Sequence, residues 1–252
     1  MSKTCILIPA LNCEHSIAEL LGKIILQSNE FEIIVLDDGS EDKTSEIALT
    51  FNNVFVYRNS KTMGYGEVSR KLYQIALERK ADFAVNVHGD LGHPSEKIVE
   101  LLNQVKYEGH DLAVGSRLLY IKNLFKSNGI YYLLKKNNRN NMPLSRIIGH
   151  LLTTFFQNMF LKLKLNSYHE GMRACNSSFI RWALTKKLTS WYEYDSELLI
   201  YAANEGFKIK EYPIKPNYDD LAKSSTPKIK YGLKIVKSTY KLSKFINDKK
   251  NI

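Results

Sequence analysis

His88, Asp90 and His93 share one short stretch, VNVHGDLGHPSEKI, at positions 85–98. A hard carboxylate oxygen between two imidazoles can serve a divalent cation, and each group can also exchange a proton or simply hydrogen-bond. Three other stretches cluster polar groups in the same way: Pro9, Ala10 and Asn12 after CILIP, the acidic run DDGSED at 37–42, and GSR at 115–117. Taken singly, each has an ordinary structural reading. Asp-Gly followed by Ser and Asp is turn and helix-cap chemistry, and His-Pro ahead of Ser95 and Glu96 starts a helix. A lone histidine at a strand end is more often structural than a ligand.

Their placement sets the four apart. The β-rich runs CILIP, EIIVLDD, VFVYR, DFAVNVHGD and DLAVGS alternate with helical patterns at 16–28, 42–51 and 66–80. Strand and helix in alternation predict an α/β fold, a Rossmann-like, mostly parallel central sheet flanked by helices. Ligands of such open sheets bind beyond the carboxyl ends of the strands, which is where all four polar loops fall. One rim should therefore gather them.

Composition narrows the classes. A chain of 252 residues, 44% of them hydrophobic, suffices for one compact core. The net charge of +10 suggests an anionic partner: nucleotide phosphate, nucleic acid or an acidic lipid surface. No aromatic-and-basic motif accompanies it, so nucleic acid is not expected as a partner. The three cysteines, Cys5, Cys13 and Cys175, show neither zinc-site spacing nor a disulfide framework, which predicts inert thiols in a reducing compartment. The first apolar run, ending at Pro9, is about five residues long against the 7–15 of an export signal, so none is expected.

Two segments read as amphipathic helices. In 145–164, Ile147, Ile148, Leu151, Leu152, Phe155, Phe156, Met159, Phe160 and Leu163 recur at helical spacing. Arg146, His150, Gln157 and Lys162 interrupt them too often for a membrane span. Near the C-terminus Ile229, Leu233, Val236 and Tyr240 form a stripe among Lys230, Lys234, Lys237, Lys241 and Lys244. Either stripe could cover the core, a partner subunit or an anionic membrane. LLKKNNRNNMP, at 133–143, reads as a mobile loop.

Seven blocks in order resemble the family 2 glycosyltransferases of the GT-A fold, particularly the dolichyl-phosphate mannose synthase-like branch. They are ILIPALNCE, IIVLDDGSEDKT, MGYGEVSRKLYQIAL, DLAVGSR, MPLSRIIGHLLTTFFQN, YHEGMRACNSSFI and YDSELLIYAANEGFKIKEYPI, spanning about residues 3 to 218. The resemblance implies a hexosyltransferase domain over 1–220, with 221–252 a basic amphipathic helical extension of the same compact unit. It also implies a UDP- or GDP-linked sugar as donor. Pro9, Ala10, Asn12 and Glu14 would line the base and ribose, with Asp37 and Asp38 meeting either. Gly64 and Gly66 would let the backbone approach the nucleotide, and His88, Gly89 and Asp90 would face its diphosphate.

The metal loop departs from the family pattern of Asp-x-Asp followed by x-Gln-His-Pro. Here His88 replaces the first Asp and Gly92 the Gln, leaving Asp90 as the hard ligand. Mg²⁺ often uses one or two carboxylates with phosphate and water, so Asp90 with His88 remains compatible with Mg²⁺ or, better, Mn²⁺. On the acceptor side the resemblance implies inversion. Asp195 stands eleven positions before Gly206, where relatives carry a general base, with Glu197 as a second carboxylate. Arg117, Arg146 and Arg173 occupy arginine positions suited to a lipid phosphate, with Ser116 and His169 beside them. Arg117 would also act in the catalytic step. The acceptor would be a polyprenyl phosphate or a lipid-linked glycan, and the enzyme cytoplasmic, peripheral on the cytoplasmic membrane face, as a monomer or homodimer. The eroded metal loop leaves a second reading: a catalytically silent nucleotide-sugar-binding or assembly subunit.

Overall fold

The computed structural model describes residues 2–128, 142–215, 217 and 234–244. In chain order these form β1 (Thr4–Ala10), α1 (Ile17–Ile25), β2 (Phe31–Asp37), α2 (Thr44–Leu49), β3 (Val54–Arg58), α3 (Tyr65–Glu78), β4 (Phe83–Asn86), α4 (Ile98–Lys106), β5 (Leu112–Ser116), α5 (Arg117–Asn128), α6 (Leu144–Leu161), β6 (Arg173–Asn176), α7 (Ser177–Leu184), α8 (Tyr194–Asn204) and β7 (Ile209–Pro213). A last helix, α9, occupies 234–244. Most of the predicted loop at 133–143, the boundary at 220, and Ile229, Lys230 and Leu233 lie outside the described residues.

One seven-stranded sheet runs β3-β2-β1-β4-β6-β5-β7. Six strands are parallel, as the alternation predicted; β6 is antiparallel to both β4 and β5. Every residue of central β1 is buried, which explains its unbroken apolar run. Alternate side chains feed two cores. Cys5, Leu7, Ile34 and Leu36 join α3, α7 and α8 on one face, while Ile6, Ile8, Ile33 and Val35 join α1 and α4 on the other. Helix α1 shows the matching helical period, burying Ile17, Leu20, Leu21 and Ile24.

The inverted strand β6 matters most for function. Because it runs against its neighbours, its first residue, Arg173, lies beside Asn86 near the end of β4 and Val114 near the end of β5. An arginine at the start of a strand thereby reaches the rim where parallel strands finish.

Candidate active site

The first part of the rim is laced loop to loop. The Pro9 carbonyl accepts from Gly89 N–H at 3.1 Å and the Ala10 carbonyl from Asp38 N–H at 2.9 Å. Asn12 adopts φ 53°, where Asn is tolerated; its N–H donates to Ser40 Oγ and its Oδ1 accepts from Glu41 N–H, both at 2.9 Å. Glu14 accepts from Lys43 N–H at 3.2 Å and donates its own N–H to Asp42 at 3.0 Å. Asp37, fully buried, accepts from Ser40 N–H at 2.7 Å and from the Ser45 hydroxyl. Asp38 accepts from Asn59 Nδ2 at 2.8 Å and from the N–H groups of Met63 and Gly64 at 2.9 Å. A carboxylate accepts about four hydrogen bonds, so Asp38 has capacity for one more donor.

Gly64 and Gly66 are required by a close approach within the chain itself. A Cβ on Gly66 would stand 2.2 Å from the Thr189 carbonyl oxygen, and one on Gly64 2.5 Å from that of Ser190. Gly66 N–H donates to the same Ser190 carbonyl at 2.9 Å. The glycines seat the turn under the 189–191 loop, and Gly64, at φ 99°, starts α3 with Tyr65 aimed inward.

Tyr65 is the hub that the sequence did not single out. Its hydroxyl lies 3.0 Å from both Asp195 oxygens, 3.1 Å from Arg173 Nη2 and 3.1 Å from His88 Nε2. A phenol has one proton and a carboxylate only accepts, so Tyr65 donates to Asp195. Arg173 and His88 must then donate to Tyr65. His88 is therefore the Nε2–H tautomer, with its lone pair on Nδ1. Burial pushes its pKa down to about 4 against the pull of Asp90, so it is neutral near pH 7. Gly171 packs on the same ring: a Cβ there would stand 2.2 Å from His88 Nε2. The GYG triplet and Gly171 were the available signals for this contact.

Arg173, 3% exposed, also forms an ion pair with Asp195 and donates to the Gly171 carbonyl. Arg173 is thus buried at the rim, and Asp195 is its counter-ion. Glu197, expected beside Asp195, sits about 200° further around α8. It accepts from Thr189 N–H at 2.9 Å and Ser238 Oγ at 2.8 Å, tying a loop and α9 together, which removes it from the catalytic set. Ser116 is likewise corrected: fully buried, its Oγ accepts from Leu119 N–H and caps α5.

Arg117 begins α5 at the end of β5. Its Nε donates to the buried Glu170 at 2.8 Å, its N–H to the same carboxylate at 3.2 Å, and Nη2 to the His169 carbonyl at 3.2 Å. Glu170 went unnoticed in the sequence. His169 donates Nε2–H to Gln157 Oε1 at 2.9 Å, and Gln157 donates to Ser196. Burial and Arg117 push the His169 pKa down to about 3. His150 is lowered by burial, with Arg117, His169 and Arg146 adding to the effect. Two neutral imidazoles, with ring centroids 6.1 Å apart, and two guanidiniums thus lie within electrostatic reach of one another.

Asp90 accepts from Gly92 N–H at 3.0 Å, across Leu91 in a left-handed conformation at φ 55°. Among the described residues no group of three or more His, Cys, Asp or Glu could hold a metal ion by itself. Nearby, the buried Asn86 amide and His93 Nδ1 have no hydrogen-bond partner. His93 packs edge-on to His88 with ring centroids 4.6 Å apart. All three cysteines are free and buried, and burial pushes Cys13 and Cys175 up to about 12, as inert thiols should be.

Comparison with known proteins places this geometry. An uncharacterised protein of Methanocaldococcus jannaschii is 30% identical over 92% of this chain and 88% of its own length. A UDP-N-acetylglucosamine–dolichyl-phosphate N-acetylglucosaminyltransferase of Methanococcus voltae is 26% identical, over 91% of this chain and 92% of its own. Glucosyl-3-phosphoglycerate synthase from Mycobacterium tuberculosis, solved with Mn²⁺, UDP and glucosyl-3-phosphoglycerate, shares the fold at TM-score 0.67 and 17% identity, over 96% of this chain and 80% of that one. The model of the family described as glycosyl transferase family 2 matches residues 5–179. With that match across most of a GT-A sheet, the chain belongs to glycosyl transferase family 2 and is a glycosyltransferase.

Proposed function

We propose that the enzyme moves a hexose-type sugar from a UDP- or GDP-linked donor to a polyprenyl phosphate, inverting the anomeric carbon. The observation that carries this reading is the setting of Asp195. A hydroxyl acceptor needs a general base free to take its proton. Asp195 is instead buried, paired with Arg173 and bonded to Tyr65. A phosphate acceptor is already nucleophilic and calls for cations, which Arg117 and Arg146 supply beside the uncharged His150 and His169. The dolichyl-phosphate substrate in the name of the Methanococcus relative supports the same choice.

On the donor side Pro9, Ala10, Asn12, Glu14 and Asp38 line the nucleoside, with Asp38 accepting from a ribose hydroxyl or base N–H. Asp90 and the His88 Nδ1 lone pair fit a divalent ion, Mg²⁺ or Mn²⁺, completed by phosphate oxygens and water. The unpartnered Asn86 amide and His93 Nδ1 leave polar atoms there for the ion's waters. Such an ion, when bound, acts as a Lewis acid on the diphosphate leaving group. Tyr65, fixed by Asp195 and Arg173, keeps His88 oriented, and Glu170 orients Arg117. The reaction runs in the cytoplasm or at the cytoplasmic face of a membrane.

Calorimetry with UDP and GDP, with and without Mn²⁺, in wild type and Asp90→Ala, tests the donor half. Metal-dependent binding of one nucleotide, lost in the variant, is expected; binding of neither would instead support a silent assembly subunit that holds no donor. Transfer to a polyprenyl phosphate but not to the free polyprenol tests the acceptor half. Equal transfer to both would reject the phosphate reading.

A further inference from the structure

Helix α6 is amphipathic in the opposite sense from a helix that covers a core. Its buried residues are Ile147, Thr154, Gln157 and Leu161, and Gln157 is held inward by His169 and Ser196. Outward it turns Ile148, Leu151, Leu152, Phe155, Phe156 and Met159, with Phe155 65% exposed. Soluble chains rarely leave so long an apolar row in water without a partner.

The surroundings of the row identify that partner. Phe160, at the end of α6, meets Tyr240 of α9 edge-on with centroids 6.5 Å apart. Tyr240 is 63% exposed and shares its helix face with exposed Lys237 and Lys244, with exposed Lys241 flanking that face. Neither α5, α6 nor 234–244 contains a single Asp or Glu. Helix α5, which packs on α6 through Leu118, Ile121 and Ile147, adds exposed Lys122 and Lys126. We propose that this face docks on an anionic lipid bilayer, with the apolar row entering the headgroup boundary and the lysines meeting lipid phosphates.

Two observations favour a bilayer over a second copy of the chain. A two-fold dimer through this face would set the lysines of α5 and α9, described helices without Asp or Glu, against their own copies, and like charges across an interface are repulsive. The face also mixes an apolar row with flanking lysines, the pattern of helices that lie in the interfacial plane. Among the described residues no helix is long and apolar enough to cross a membrane, so the contact lies on the bilayer surface. One consequence rests on the transferase reading: Arg146 and His150, on this same helix, would hold the proposed acceptor site against the membrane that presents its phosphate.

The test is flotation of the full chain on phosphatidylcholine vesicles with and without phosphatidylglycerol, at low and high salt. Neither nucleotide nor acceptor is present, so failure leaves the transferase reading standing. Binding to the anionic vesicles alone is expected. Leu152→Glu/Phe155→Glu should abolish it, and Lys237→Glu/Lys241→Glu should weaken it about twenty-five-fold or more, about fivefold for each lysine. The substituted residues are exposed, so unchanged thermal melts will show that the variants fold. Charge-indifferent flotation would overturn the proposal. So would a dimer in light scattering that Leu152→Glu/Phe155→Glu dissolves, or a monomer that does not float.

Discussion

On the side of the rim proposed to hold the donor, Asn12 and Asp38 accept mainly from main-chain N–H groups of adjoining loops and Asp37 from one such group and a hydroxyl, whereas on the side proposed for the acceptor Arg117 and Arg173 are held by the buried carboxylates Glu170 and Asp195. A buried carboxylate against N–H groups, as at Asp37 and Asp38, shapes a loop without a second buried charge opposite it. A guanidinium against a buried carboxylate is locked into one geometry, because removing either partner strands a charge away from water. The donor side should therefore tolerate substitution in its fold and show the damage in binding. The acceptor side should lose the fold first.

The largest expected effect falls on the acceptor side. Arg173→Met should cost about 3–5 kcal/mol in urea denaturation, and the double variant Arg173→Met/Asp195→Leu should recover most of it, since apolar replacement removes both charges. A single-variant loss of less than about 1 kcal/mol would erase the distinction between the two sides. Next come the glycines: Gly66→Ala and Gly171→Ala each force a methyl into occupied space and should cost about 1–3 kcal/mol. For Gly171→Ala, the transition of His88 followed by NMR should also move, because its Nε2 contact is displaced.

The buried imidazoles give a pH dependence with a defined sign. His88 and His169 titrate at about 4 and about 3 in the fold, below the ordinary 6.5, so the unfolded chain binds more protons between those values. The stability they contribute is fully present above about pH 6.5 and is lost as the pH falls toward 4. Melting temperatures measured from neutral pH downward should drop, and His88→Gln and His169→Gln should each flatten the decline. An unchanged slope in either variant would locate the acid sensitivity elsewhere.

The smallest structural effect belongs to Asp90→Ala. Its carboxylate makes one loop hydrogen bond, so stability should change by within about 0.5 kcal/mol while metal-dependent nucleotide binding is lost. Calorimetry beside a thermal melt separates the two. A destabilisation matching that of Arg173→Met would show that the donor loop is held no more loosely than the acceptor side.

The order of residues was enough to establish the alternation of β1 to β5 with their helices, the single rim, and the polar loops that follow each strand. Those signals are local: an apolar run, a helical period and a turn residue all act within a few positions. The family, too, was legible there, through blocks kept in order. The same order of residues could not show that β6 inverts and brings Arg173 to the rim, since pairing direction depends on strands 87 positions apart, as for Asn86 and Arg173. Nor could it show that Tyr65 bonds Asp195 across 130 positions, that Glu170 takes Arg117 across 53, or that Glu197 faces a loop and not the site. Spacing in the sequence places α6 as amphipathic; that its apolar face points to solvent emerges only in three dimensions, because burial is a property of what a helix packs against and not of the helix alone.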